Sequence, residues 1–150
     1  MKVALMNFVC PQMNPRTMPA EQKFVESIDD LLSTAKAALQ KNHHAFVFFS
    51  GSTDLKTGDS WCLTCQKAEP VLEDCLKFSK DGDVFMMIEV GTESEWKSPD
   101  NKFRTHPVFQ LKNIPTVVSL KLTGDDLSVV NRIESTNCHD KAALEKLLNA

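Results

Sequence analysis

Two cysteines three residues apart, Cys62 and Cys65, are the side chains whose type and spacing most directly imply chemistry. A thiolate attacks another sulfur, and a second thiol one helical turn away can displace whatever the first has captured. The pair therefore suits thiol–disulfide exchange, with Cys62 attacking and Cys65 resolving. It needs no cofactor beyond its own redox-active disulfide. At a helix start the first cysteine would meet open backbone N–H groups and the positive end of the helix dipole, both of which favour the thiolate. The same pair could form half of a zinc site. Cys75, Cys138, His43, His44, His106 and His139 are the remaining ligand types, but no second C-x-x-C or H-x-x-x-H joins them. No metal is expected.

Chemistry of this kind requires a strand, a loop and a helix start around the pair. Ala45 to Phe49 is a continuous apolar run rich in β-formers, as in a strand covered on both faces. Gly51 to Ser60 is polar, with two glycines, and reads as a loop. Trp61 to Phe78 has helical patterning that contains Pro70. Pro70 would either end this helix or cost it one internal hydrogen bond. Before these segments, Lys2 to Val9 reads as a first strand and Pro11 to Pro19 as a connection. Glu21 to Lys41 reads as a helix on the spacing of Phe24, Val25, Ile28, Leu31, Leu32, Ala35, Ala38 and Leu39. After them come a strand at Val84 to Val90 and a loop with a helix around Phe103 to Leu111. A hairpin follows, Pro115 to Leu122 and Leu127 to Ile133, turning at Gly124-Asp125. Asn137 is expected to cap a last helix through Ala143, Leu144, Leu147 and Leu148. The order β-α-β-α-β-α-β-β-α predicts an α/β mixed sheet with helices on both faces.

The bulk numbers agree with one domain over residues 1–150, of which 1–20 are the first strand and its connection. The chain has 150 residues, 42% hydrophobic and 25% charged, with a formal net charge of −3 and no basic cluster. That balance disfavours nucleic acid as a partner. No run of 18 apolar residues is present, so no membrane span is expected. Met1 to Met6 loosely resembles a signal sequence, but Asn7 interrupts it and no small-x-small site follows. Five cysteines in a chain this long and this well supplied with apolar residues do not read as a disulfide scaffold; in a cytoplasmic protein, the expectation here, the same count points to catalysis or metal.

Further residues make the reading more specific. These are Phe49-Ser50-Gly51-Ser52, Ser60-Trp61-Cys62 with Cys65, Ala68-Glu69-Pro70, Val90-Gly91, Trp96-Lys97, Pro99, Phe103-Arg104 and Ile114-Pro115-Thr116. On them the chain resembles the thioredoxin superfamily and, within it, the small cytosolic proteins of the thioredoxin domain-containing protein 17 type. The resemblance implies a thioredoxin fold with a central five-stranded sheet and disulfide-reductase activity. It implies electrons from a thioredoxin-reductase-type donor, a monomer, and disulfide-bearing proteins or small disulfides such as cystine as substrates. It further implies a kink at Pro70 and a substrate groove formed by Trp61, Leu63, Thr64, Ile114 and Pro115. From residues alone Pro115 is an ordinary strand-opening proline; the resemblance implies a cis Ile114–Pro115 bond beside the disulfide. It also implies that the loops around Gly51 to Ser60 and Thr92 to Pro99 flank the pair.

Two departures accompany it. The resembling family has Pro-Asp between its cysteines where this chain has Leu63-Thr64, and thioredoxin proper has a buried acid in the strand where this chain has Phe46 to Phe49. Water or Glu69 would then handle the resolving thiol's proton, although Glu69 also reads as a solvated helix residue. Cys75 reads as a core thiol, Cys10 and Cys138 as small buried hydrophobes, and His43 and His44 as solvent-facing. Trp96 reads as a loop anchor. A drifted motif also leaves open a non-catalytic binding module, or a redox sensor gated by Cys62–Cys65 oxidation.

Overall fold

The computed structural model describes residues 20–80 and 82–148. The expected strand at Lys2 to Val9 and its connection lie outside these residues. Five strands form one mixed sheet in the order β1-β3-β2-β4-β5. Its strands are β1 (Glu21–Phe24), β2 (Ala45–Ser50), β3 (Val84–Glu89), β4 (Thr116–Thr123) and β5 (Asp126–Glu134). β3 runs parallel to both β1 and β2, β4 antiparallel to β2, and β5 antiparallel to β4. This is the mixed α/β architecture that the element order predicts.

Every residue of β2 is buried, because it has a strand on each side and helices over both faces. Alternation sorts its side chains. Ala45, Val47 and Phe49 face a cluster with Leu31 and Ala35 of α1 (Ile28–Gln40), together with Trp96 and Phe103. Phe46 and Phe48 face a second cluster with Ala68 and Leu72 of α2 (Leu63–Cys75) and Leu144 and Leu147 of α5 (Lys141–Leu148). The short helices α3 (Glu93–Lys97) and α4 (Lys102–Thr105) lie between β3 and β4 in the chain.

The structure corrects three expectations. Glu21–Phe24 is a strand, not the first turn of the helix. It pairs with Val84 to Met87, and α1 starts only at Ile28, where the Ser27 side chain accepts from the Asp30 N–H. The residues of β1 alternate exposed and half-buried, an edge-strand pattern too short to compete with the helical spacing downstream. Second, the helix around Phe103 ends at Thr105, because Pro107 pushes His106 into extended backbone (ψ 128°). Third, Asp140 rather than Asn137 caps α5: its carboxylate accepts from the N–H groups of Ala142 and Ala143, while Asn137 lies in a 3-10 turn, Ser135–His139. The hairpin turns at Gly124-Asp125 as expected, with a bulge at Ser119/Leu120.

Phe49 links the sheet to the segment after α3. It is fully buried and meets Phe103 and Phe109 edge-on, with ring centroids 6.0 and 5.1 Å away. Phe49→Ala should destabilise the protein by about 3–5 kcal/mol, the range for emptying a buried aromatic site. Urea denaturation of the purified variant measures it; a loss under about 1 kcal/mol would show that the site collapses without cost.

Candidate active site

Cys62 stands at the N-cap of α2 with extended backbone (φ −91°, ψ 106°), and its Sγ accepts from the Cys65 N–H at 3.2 Å. A sulfur thus occupies the place where Ser or Asp usually satisfies an open helix N–H. Cys62 and Cys65 are disulfide-bonded, with Cα atoms 5.2 Å apart. Cys62 is 8% exposed and Cys65 is 0% exposed, so solvent reaches the pair from the Cys62 side. The helix continues through Pro70, which lies on its exposed face and gives up a single i→i−4 bond.

Hydrogen bonds from the preceding loop hold Cys62. The Ser60 hydroxyl accepts from the Cys62 N–H and donates to the Gly51 carbonyl, while Gln66 Nε2 donates to the Ser60 carbonyl. Gly51 must be glycine: a Cβ there would sit 2.7 Å from the Trp61 ring and 3.0 Å from Cys62 Cβ. Gly91 joins the two flanking loops. Its carbonyl accepts from Trp61 Nε1 (2.9 Å) and from the Ser52 N–H (3.0 Å), and its own N–H donates to the Ser52 hydroxyl. Its φ of +115° suits glycine. Glu89, at the end of β3, accepts from the Thr53 N–H and hydroxyl. Trp61 is half-buried and pinned by its indole nitrogen.

The Ile114–Pro115 bond is cis. Thr116, the next residue, pairs with Phe49 of β2, two positions before Gly51. The cis bond and the dithiol therefore share one end of the sheet. Ile114 is half-buried and Pro115 buried; the Pro115 carbonyl accepts from the Ser135 N–H and from Cys138 Sγ. Leu63 is 69% exposed beside Cys62, and Thr64 is half-buried. A cleft of about 740 Å³ lies elsewhere, lined by Phe24, Glu89, Gly91 and Asn101 among others, with neither cysteine in its wall.

Among the described residues no group of three or more His, Cys, Asp or Glu side chains could hold a metal ion, and several of those considered have partners of their own. His44 Nδ1 lies 3.2 Å from Asp83, so this ring is half-exposed but paired rather than simply solvent-facing. His106 Nδ1 accepts from the Val108 N–H, and His139 Nε2 meets the Thr64 carbonyl. Cys75 Sγ points at the Lys141 carbonyl. Glu69, read as solvated, is 8% exposed and one turn beyond Cys65 on α2. Its sequence neighbours gave no sign of this burial, which comes from packing of α2 against the sheet. Trp96 is buried under the Arg104 guanidinium, 3.9 Å above its ring. His139, weighed from the sequence only as a metal-ligand type, touches the first turn of α2: nothing in its local pattern links it to Thr64, 75 residues earlier.

This sheet order, a dithiol opening the helix after β2 and a cis-proline opening β4 make a thioredoxin fold. A solved thioredoxin from Nicotiana alata superposes with a TM-score of 0.56 at 20% identity, covering 89% of this chain and 94% of that one. The chain belongs to the thioredoxin domain-containing protein 17-like family, whose thioredoxin-domain model matches residues 22–150. It is 40% identical to human thioredoxin domain-containing protein 17 over 93 residues, 59% of this chain and 73% of the human protein. The mouse protein of that name is 40% identical over 73 residues, 49% of this chain and 57% of its own length. Among the described residues no helix is long and apolar enough to cross a membrane.

Burial separates the other thiols among the described residues, Cys75 and Cys138, from the pair. Desolvation pushes the Cys75 thiol up to about 11 and the Cys138 thiol up to about 12. At pH 8 roughly one Cys75 in a thousand and one Cys138 in ten thousand would be thiolate. Iodoacetamide on the reduced native protein at pH 8 should therefore spare both while labelling Cys62, as peptide mass spectrometry will show. Because these thiols hold their protons longer when folded, stability should fall as pH rises from about 9 toward 11. Rapid labelling of Cys138 at pH 8 would contradict its burial.

Proposed function

We propose that the chain is a cytoplasmic disulfide reductase in which Cys62 attacks and Cys65 resolves. The observation that carries this reading is the N-cap position of Cys62, with its sulfur against the Cys65 N–H and at the accessible side of the pair. In the reduced enzyme the Cys62 thiol loses its proton to solvent, and the thiolate attacks one sulfur of a substrate disulfide. The S–S bond breaks, one substrate sulfur leaves as a thiolate, and a mixed disulfide with Cys62 forms. Cys65, deprotonated in its turn, attacks the Cys62 sulfur, so that the second substrate thiolate leaves and the Cys62–Cys65 disulfide closes. Two electrons have passed to the substrate, and its two thiolates take up the two protons. A thioredoxin-reductase-type donor returns two electrons to the pair. No metal or organic cofactor enters these steps.

Trp61, Leu63, Thr64, Ile114 and Pro115 form the docking surface in this reading. The loops joined at Gly91 make a stiff wall beside Cys62, which favours small disulfides such as cystine or disulfides on narrow protruding segments. Leu63-Thr64 presents an apolar side chain with no carboxylate, so acidic substrates meet no repulsion from within the motif.

Cystine or insulin reduction, coupled to NADPH through thioredoxin reductase, tests the reading. Cys62→Ser should lower turnover on the order of a thousandfold or more, since a serine alkoxide is not populated at neutral pH. Cys65→Ser should stop after one turnover and accumulate mixed disulfides on Cys62, visible as a mass increase. Full activity in Cys62→Ser would exclude the mechanism.

A further inference from the structure

The Cys65 N–H that points at Cys62 Sγ belongs to the Thr64–Cys65 peptide unit. The other end of that unit, the Thr64 carbonyl, meets His139 Nε2 at 2.9 Å. A carbonyl oxygen only accepts, so Nε2 carries a proton, in the Nε2–H tautomer or in the imidazolium. The Thr64 oxygen has a second lone pair left for the helix ladder. His139 closes the 3-10 turn Ser135–His139, which is itself fastened to the end of the sheet. The Ser135 N–H donates to the Pro115 carbonyl, and the buried Cys138 Sγ lies within reach of the Pro115 and Ile133 carbonyls. The ring therefore approaches from a fixed base, and three groups are linked in series through one peptide unit: imidazole N–H, peptide, sulfur.

We propose that His139 is a positioning residue for the Cys62 thiolate. By binding the Thr64 carbonyl, it holds and polarises the peptide whose N–H faces the sulfur. Hydrogen bonds in series strengthen one another by about 10–30% in condensed phases, and a bond to an ionised sulfur gains most. In the oxidised pair this strengthening has little charge to act on; once Cys62 is reduced and ionised, the same N–H faces a full negative charge. His139 never touches the substrate; it acts through one peptide on the nucleophile's ionisation. The inference rests on the reading of Cys62 as the attacking thiolate.

The test is the pH dependence of iodoacetamide alkylation at Cys62 in the reduced full-length chain, resolved by peptide mass. His139→Leu removes the donor and should raise the apparent Cys62 pKa by about half a pH unit, a roughly threefold smaller thiolate population below the midpoint. In His139→Gln the side-chain amide reaches the same carbonyl and should keep the Cys62 pKa near that of the parent. A leucine variant with native circular dichroism and unchanged Cys62 pKa would overturn the proposal, as would a glutamine variant shifted as far as the leucine one. If His139→Leu does not fold, His139→Met makes the same comparison. The reading beneath it fails separately and visibly: an unmodified chain whose Cys62 titrates no lower than Cys65 would overturn both before any variant is made.

Discussion

A helix that starts on a sulfur is the constraint around which this molecule is arranged. The first turn of α2 leaves backbone N–H groups without helical partners, and Cys62 Sγ accepts one of them from Cys65. A neutral sulfur is a weak acceptor and a thiolate a strong one, so the unmet demand of the helix end becomes a preference for the ionised form of Cys62. That preference depends on geometry. The sulfur must stay at the N-cap, so the Cys62 backbone must be held in place. Ser60, Gly51 and Gln66 hold it on one side, and the contact of His139 with Thr64 holds the first turn on another.

The two loops beside the pair act as one body. Ser52 and Trp61 both bond to Gly91, and Thr53 bonds to Glu89, so the loop after β2 is fastened to the end of β3 at several points. Glycine is required where the chains come closest. At Gly51 a side chain would strike the indole, and at Gly91 a Cβ would come within 2.9 Å of Glu95 Cβ. Rigid backbone is thereby brought against the motif without a bulky side chain intervening, and Trp61 is fixed as a wall rather than left as a mobile lid. The segment after β3 is secured in the same manner, by Trp96 under Arg104 and by the capping box of Thr92 and Glu95.

Glu69 and Cys138 show how the sheet redefines residues that look ordinary. Both are buried because α2 and the turn after β5 pack over the face of Phe46 and Phe48. Cys138 borders the carbonyl of Pro115 and contributes to the support of the cis-proline segment, with burial keeping its thiol protonated. Thus a cysteine close to the same end of the sheet as the Cys62–Cys65 pair keeps its proton at neutral pH.

The dithiol, the buried strand Ala45–Ser50, the helix carrying Pro70 and the hairpin at Gly124-Asp125 could be read from the chain because each depends on neighbours within a few residues. A C-x-x-C at a helix start, a continuous β-branched and aromatic run, and a two-residue turn are local statements with local causes. The cis-proline was legible only through family resemblance, since by its own residues Ile114-Pro115 admits either isomer. What remained hidden depends on partners far along the chain. Glu21–Phe24 is a strand because β3 offers it an edge, although its side chains continue a helical rhythm. Glu69 is buried because a sheet lies beneath it, and His139 reaches Thr64 across 75 residues of sequence. Periodicity reports how a segment prefers to bury itself; only the packed sheet decides which segments it meets, and it is those meetings that place a histidine against the Thr64–Cys65 peptide.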